Sequence, residues 1–127
     1  MSRKLYLSGM ALLTFAVTGC STPSDVANSQ TIASFSSSGK IPLATYCVRK
    51  EKEAAGTIVN SVMNFDTLPT PTGMEMQLYA QGDHRITYAI AYYNENATGY
   101  TVDVKATGQQ WGAKLAEWVG SCAASGS

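Results

Sequence analysis

The sequence predicts an α+β fold, in which an antiparallel sheet of three or four strands is covered on one face by an N-terminal and a C-terminal helix. Three segments between residues 74 and 107 alternate apolar and polar side chains, which is typical of strands with one buried face. Two further segments, one on each side of these strands, repeat apolar residues at helical spacing. Helices and strands in this order are typical of a two-layer domain.

The N-terminal helix is predicted to begin near Ile41, where the folded domain also begins. Pro42 suits the first turn of a helix, and apolar residues recur at helical spacing as far as Val48. The charged run 49–53 is interpreted as a solvent-exposed end, and Gly56 stops the helix.

The segment 57–65 is ambiguous between helix and strand. Ile58, Val62 and Phe65 fit a helix, whereas alternate positions fit a strand. We favour a strand because three of the nine residues are β-branched aliphatics and the segment follows a glycine. The segment 66–73, with two prolines and a glycine, is predicted to be a loop.

Three strands and a final helix complete the predicted domain. The strands cover residues 74–81, 86–93 and 100–107, and Gly- and Asn-containing turns join them. The helix runs from about 109 to 122, and its apolar stripe would cover the sheet. The stripe consists of Trp111, Leu115, Trp118 and Cys122.

Residues 1–19 have the layout of a secretory signal. Arg3 and Lys4 precede an uncharged apolar stretch, 5–17, and small residues follow before Cys20. The stretch is too short to cross a hydrocarbon core of about 30 Å, which needs about 20 apolar residues. A short buried helix is the alternative interpretation of this stretch.

The run Val17-Thr18-Gly19-Cys20 resembles the lipobox of bacterial lipoproteins. In such proteins the cysteine thiol receives a diacylglyceryl group, and the chain is cut before it. The resemblance implies a lipid anchor on Cys20 and a domain that faces the periplasm. Ser21, where an aspartate would resemble an inner-membrane retention signal, favours the outer membrane over the inner membrane. A soluble secreted protein with the same signal remains the alternative.

The mature chain is predicted to be a tether and one domain. Residues 20–40 contain the lipidated cysteine and a flexible, Ser-rich tether, and residues 41–127 form a single α+β domain. Without residues 1–19 the chain has 108 residues and a formal charge of −2. A slightly acidic domain lacks the basic patch that nucleic acid binding requires.

Two cysteines remain when Cys20 is set aside. Cys47 and Cys122 form an even pair, and in an oxidising compartment such a pair predicts a disulfide. Two free thiols or a metal site are the alternatives. However, two cysteines and the distant His84 match no zinc-site spacing, so we expect no metal.

Two short motifs extend the resemblance beyond the lipobox. Residues 43–47, Leu-Ala-Thr-Tyr-Cys, lie in the first helix, and residues 118–122, Trp-Val-Gly-Ser-Cys, end the last one. With the Ser-rich tether, they resemble a loose group of small uncharacterised proteobacterial lipoproteins with a two-Cys α+β domain. The resemblance implies the same fold and disulfide, and it implies no activity.

The sequence contains no recognisable catalytic set. His84 follows the turn at Gly82-Asp83, and neighbouring side chains on a strand point to opposite faces, so Asp83 and His84 are not interpreted as an acid–base pair. No serine or cysteine has the setting of an activated nucleophile. We therefore expect neither an enzyme nor a cofactor.

The tyrosines are the one enriched feature of the mature domain. The alternation places Tyr88, Tyr92 and Tyr100 on the buried face, and Tyr79 and Tyr93 on the polar face. Outward tyrosines can form an aromatic patch of the kind enriched at interfaces, so Tyr79 and Tyr93 are the candidate partner surface. Cross-strand packing that merely stabilises the sheet is the favoured alternative.

These observations favour a membrane-anchored lipoprotein that acts as a non-enzymatic binding or accessory module of the cell envelope, with an envelope protein as its partner. One alternative is a lipoprotein that binds a small ligand, lipid or peptidoglycan in a pocket to which Met74 and Met76 contribute. A further alternative is an inhibitor or immunity lipoprotein.

Overall fold

The computed structural model describes residues 21–127, and the predicted signal peptide and Cys20 lie outside this range. The helices are α1 Pro23–Ala27, α2 Ile41–Ala54, α3 Thr57–Val62 and α4 Gln109–Ala124. The strands are β1 Thr31–Ser37, β2 Met63–Thr70, β3 Gly73–Gln81, β4 Arg85–Asn96 and β5 Gly99–Ala106.

The five strands form one antiparallel sheet in the order β1-β5-β4-β3-β2. The α+β class and the three alternating strands β3, β4 and β5 are confirmed, and the sheet has two more strands than these. Both additional strands, β1 and β2, lie at the edges of the sheet. The prediction of three or four strands was therefore too low.

The segment 57–65 contains both of the structures between which the sequence was ambiguous. Residues 57–62 form α3, and β2 begins at Met63, so the preference for a strand throughout was wrong. The predicted loop 66–73 is also largely strand. Pro69 is tolerated there because β2 is an edge strand, where a missing backbone donor breaks no essential ladder hydrogen bond.

The segment expected to be a flexible tether folds onto the domain. Thr22 caps α1 in a capping box with Asp25, which satisfies two otherwise free backbone N–H groups. β1 then pairs with β5, and Phe35 packs against the helix-covered core. The pairing of a Ser-rich strand with a distant part of the chain leaves little trace in local composition, which is why the tether was predicted.

The main core lies between the sheet and the helices α2 and α4. Leu115, Trp118 and Cys122 of the predicted stripe are buried, and Trp111 is half-buried against the same core. The sheet contributes mainly aliphatic residues and two tyrosines, and both helices lie on this one face of the sheet. We call it the helix face.

Cys47 of α2 and Cys122 of α4 form the predicted disulfide, with their Cα atoms 5.9 Å apart. The bond joins the two helices of the covering layer directly. It also cross-links two residues that are 75 positions apart in the sequence, and so holds α2 and α4 together on the sheet.

Candidate functional site

The candidate site lies on the sheet face opposite the helix face. Leu78 is fully buried in the core, and its neighbour Tyr79 therefore points to the other side of the sheet. The guanidinium of Arg85 lies over the Tyr79 ring, with its central carbon 3.7 Å from the ring centroid. This distance is typical of a stacked cation–π contact.

Arg85 also binds polar side chains from two neighbouring strands. One terminal nitrogen, Nη2, donates to Gln77 Oε1 at 2.6 Å, and the other, Nη1, pairs with Asp66 Oδ2 at 3.2 Å. Gln77 Nε2 in turn donates to Glu75 Oε2 at 3.4 Å. These residues, the Arg85 cluster, are Asp66, Glu75, Gln77, Tyr79 and Arg85.

A β-bulge places Arg85 on this face. Leu78 pairs with Ala89, but the next residue, Tyr79, pairs with Thr87, so Tyr88 has no opposite residue on β3. An uninterrupted alternation from Ala89 would direct Arg85 towards the helices. The extra residue reverses the alternation and brings Arg85 to the same side of the sheet as Tyr79.

Helix α1 divides this face into a covered and an uncovered half. Val26 of α1 and Ile90 of β4 are both fully buried outside the main core, and α1 packs against β4 and β5. Lys105 Nζ donates to the carbonyl oxygen of Ala27 at 3.1 Å and lies 5.8 Å from the centroid of the Tyr92 ring. The Arg85 cluster lies beyond α1, towards the β2 edge.

Several buried polar atoms on this face have no hydrogen-bond partner within residues 21–127. They are Arg85 Nε, Thr87 Oγ1 and Tyr92 Oη. Burial, with a smaller contribution from Glu75, raises the pKa of Tyr92, so its hydroxyl stays protonated and is a donor at neutral pH. An unsatisfied buried group costs about 1–3 kcal/mol, and of these three atoms Arg85 Nε belongs to the Arg85 cluster.

The placement of Tyr93 on the polar face was wrong. Tyr93 is 2% exposed and packs in the main core, where its ring is 5.4 Å from that of Tyr100. On β4 the small side chains of Ala89 and Ala91 face the helices with Tyr93, whereas the larger Tyr92, predicted to be buried, points away. The predicted alternation of buried and exposed side chains was therefore shifted by one position at Tyr92 and Tyr93.

The turn between β3 and β4 contains the one histidine of the sequence. His84 and Asp83 are both exposed in this turn. In the described range, no group of three or more His, Cys, Asp or Glu side chains could hold a metal ion. Sequence reasoning found Tyr79 but missed Arg85, because the bulge that places Arg85 has no signal in composition.

The sequence matches no family model and no curated protein, and the structure matches no solved structure. Within residues 21–127, no helix combines the length and apolarity needed to cross a membrane. The interpretation of the site therefore depends on its geometry and on the chemistry of its side chains.

Proposed function

We propose that this chain is a lipoprotein, anchored through Cys20 to the outer membrane and facing the periplasm, that acts as a non-enzymatic binding module of the cell envelope. The lipobox-like run that ends at Cys20 supports the anchor. The disulfide between Cys47 and Cys122 supports an oxidising compartment, since such bonds persist in the periplasm and are rare in the cytosol.

The observation that carries the binding role is the Arg85 cluster on the uncovered half of the sheet. Tyrosine and arginine are the residue types most enriched in the energetic centres of protein interfaces. Here Asp66 and Gln77 hold Arg85, which stacks on Tyr79, so little conformational entropy of Arg85 would be lost on binding. Leu68 on β2, which is 41% exposed, extends the same face with an apolar group.

The chemistry of the cluster indicates a protein partner. It combines a flat aromatic surface, one cation and two carboxylates within one patch. Such a mixed, preorganised patch suits a protein surface with complementary charges around an apolar centre. The partner in this proposal is another protein of the envelope.

Photo-cross-linking in the native envelope tests the binding role. A photo-reactive amino acid at Leu68 probes the candidate face, and the same residue at Leu43 on α2, which is 58% exposed, is the matched control. We expect one discrete protein cross-link from position 68 that is absent from position 43. The cross-link should be lost when Tyr79→Ala is added and kept with Tyr46→Ala, an exposed tyrosine of the helix layer. Equal cross-linking from both positions would contradict the proposal.

The anchor is tested separately by the variant Cys20→Ala. The wild-type protein should carry acyl chains on the peptide that begins with Cys20, as mass spectrometry can show, and should sediment with outer membranes. The variant should fold and form its disulfide but no longer sediment with membranes. Membrane association of the variant after signal cleavage would refute the lipid anchor.

A second candidate function, the binding of a small apolar ligand or lipid, has one observation in its favour. A groove of about 540 Å³ lies between β1 and α4, lined mainly by Ile32, Ala106, Ala113 and Ala116. By contrast Met76, expected to line a pocket between sheet and helices, is fully buried in the core. Lipid that is retained by the non-acylated domain in native mass spectrometry would favour this alternative.

A further inference from the structure

Ser21, the first described residue, is held against the sheet by two hydrogen bonds. Its carbonyl oxygen accepts from the N–H of Thr87 at 3.0 Å, and its hydroxyl oxygen accepts from Thr107 Oγ1 at 2.9 Å. Consecutive Cα atoms are about 3.8 Å apart, so a lipid on Cys20 would be attached directly at this position. The domain would have no long tether between itself and the lipid.

These contacts identify one end of the sheet. Thr87 lies near the start of β4, and Thr107 directly follows β5. The turn between β3 and β4, at residues 82–84, and the first residues of β1 and β2 lie at the same end because the sheet is antiparallel throughout. We call it the Ser21 end.

Exposed aliphatic side chains flank Ser21 on both sides of this end. Ile58, which is 80% exposed, and Val62, about half exposed, are four residues apart on α3 and so share one side of the helix next to the β2 edge. Ile32, also about half exposed, lies at the start of β1 on the opposite edge. Isolated exposed apolar residues are common, and three of the six large ones among residues 21–127 lie around this one attachment point.

A shallow groove continues this apolar surface beside Val62. It has a volume of about 440 Å³; Ala80 and Ile86 supply its apolar walls, and Asp83 and His84 of the β3–β4 turn also line it. The second groove, which Ile32 lines with Ala106 and Ala113, opens at the other edge. The Ser21 end thus presents apolar groups and grooves across the width of the sheet.

The hollows at the opposite end of the sheet are more polar, and the exposed Leu43 of α2 also lies at this end. The turns of this end, at residues 71–72 and 97–98, and the segment 38–40 contain two threonines, a serine and a lysine. Thr72 Oγ1 donates to Asn94 Oδ1 there, and the hollows at this end are lined chiefly by serine, asparagine and threonine side chains. The hollows at the two ends therefore differ in polarity.

We infer that the Ser21 end of the sheet is a membrane-contacting surface, on which Ile32, Ile58 and Val62 insert into the lipid headgroup region. This inference rests on the proposed lipid anchor at Cys20. The lipid draws this end to the bilayer, and the hydrogen bonds of Ser21 keep the sheet upright on it. Burial of apolar side chains at the boundary between headgroups and acyl chains lowers the free energy of the membrane-bound state. The Arg85 cluster then faces sideways into the periplasm, at a fixed orientation to the membrane.

Depth-dependent quenching of tryptophan fluorescence tests the contact. The full-length acylated protein, with its disulfide intact, is reconstituted into vesicles of phosphatidylethanolamine and phosphatidylglycerol that contain brominated phosphatidylcholine. Ile58→Trp places a probe at the Ser21 end, and Leu43→Trp, near the start of α2 at the opposite end, is the matched control. Both positions are exposed, so neither substitution disturbs the core.

We expect the brominated lipid to quench most of the emission that Ile58→Trp adds to the wild-type signal, and none of the emission that Leu43→Trp adds. Equal quenching of both probes, or of neither, would overturn the inference. A blue-shifted but unquenched Ile58→Trp probe would also overturn it, because this result indicates a protein contact, such as a second copy of the chain.

The two proposals fail in distinguishable ways. Absence of acyl chains on Cys20, or failure of the protein to float with the vesicles, overturns both the anchor and the contact. Normal acylation and flotation without quenching at position 58 overturns the contact alone.

A flexible insertion provides a second, independent test. Eight Ser and Gly residues, beginning with Ser, are inserted between Cys20 and Ser21, which allows the domain to move about 15 Å from the lipid. If hydrogen bonds at Ser21 hold the domain on the bilayer, quenching of Ile58→Trp should fall several-fold while flotation is unchanged. Undiminished quenching would show that the direct attachment has no part in the orientation.

Discussion

Tyr93 and Tyr100 stack edge to face in the core, with ring centroids 5.4 Å apart, but their hydroxyl groups differ. The Tyr100 hydroxyl donates to the carbonyl oxygen of Ser127. The Tyr93 hydroxyl is buried and has no partner in the described part of the chain. A buried tyrosine hydroxyl therefore stabilises the fold at position 100, where it is hydrogen-bonded, and destabilises it at position 93, where it is not.

The substitution Tyr93→Phe should leave the packing of the ring unchanged and remove an unsatisfied hydroxyl. We expect the free energy of unfolding to rise by about 1 kcal/mol, whereas Tyr100→Phe, which deletes a hydrogen bond, should lower it by about 1 kcal/mol. Urea denaturation of both variants measures the difference. A loss in Tyr93→Phe as large as that in Tyr100→Phe would mean that the Tyr93 hydroxyl is satisfied.

Tyr93 should also make the fold sensitive to alkaline pH. Burial, with a smaller contribution from Tyr100, raises the pKa of Tyr93 above its ordinary value of 10.0. The unfolded chain therefore loses this proton at a lower pH than the folded chain, and the free energy of unfolding falls as the pH rises above about 10. The fall should be shallower in Tyr93→Phe and unchanged in Tyr46→Phe, an exposed control, as denaturation at a series of pH values can show.

At the scale of elements, β1 shows how a strand can form from a sequence typical of a linker. Ala33 and Phe35 face the helix layer, and Phe35 lies so close to Gly120 of α4 that a Cβ there would come within 2.8 Å of its ring. Serine residues fill the alternate positions. The strand is stabilised by its hydrogen bonds to β5 and by Phe35, not by its own β-propensity.

The substitution Phe35→Ala distinguishes a docked strand from a tether. Replacement of a fully buried phenylalanine by alanine lowers the free energy of unfolding by about 3–5 kcal/mol. For this half-buried ring we expect a decrease of about 2 kcal/mol. Ser36→Ala, an exposed position on the outward side of the same strand, should change the free energy of unfolding by less than about 0.5 kcal/mol. Equal, negligible effects in thermal denaturation would indicate that residues 31–37 do not pack on the domain.

At the scale of the whole molecule, the disulfide joins the two helices that cover the sheet. Replacement of both Cys47 and Cys122 by Ala removes a cross-link between residues 75 positions apart. The chain-entropy model predicts that the free energy of unfolding falls by about 4 kcal/mol. A domain of this size has a total stability of about 5–15 kcal/mol, so the variant should unfold at a much lower urea concentration.

Reduced wild-type protein is the control for that prediction. It keeps both sulfur atoms in place, and it should unfold at nearly the same urea concentration as the double Cys→Ala variant. Reduction without any shift in the unfolding midpoint would show that the bond contributes little to the fold.

The sequence by itself determined the α+β class, the three strands β3, β4 and β5, the last helix and the pairing of Cys47 with Cys122. These features follow from periodicity along the chain and from a count of cysteines, which are local properties. Only the tertiary structure decided that residues 31–37 form an edge strand, and that Arg85 lies over Tyr79 while Tyr93 lies in the core. The physical reason is that strand pairing and the bulge at Tyr88 depend on residues distant in sequence, and one extra residue reverses which side of the sheet every following side chain occupies.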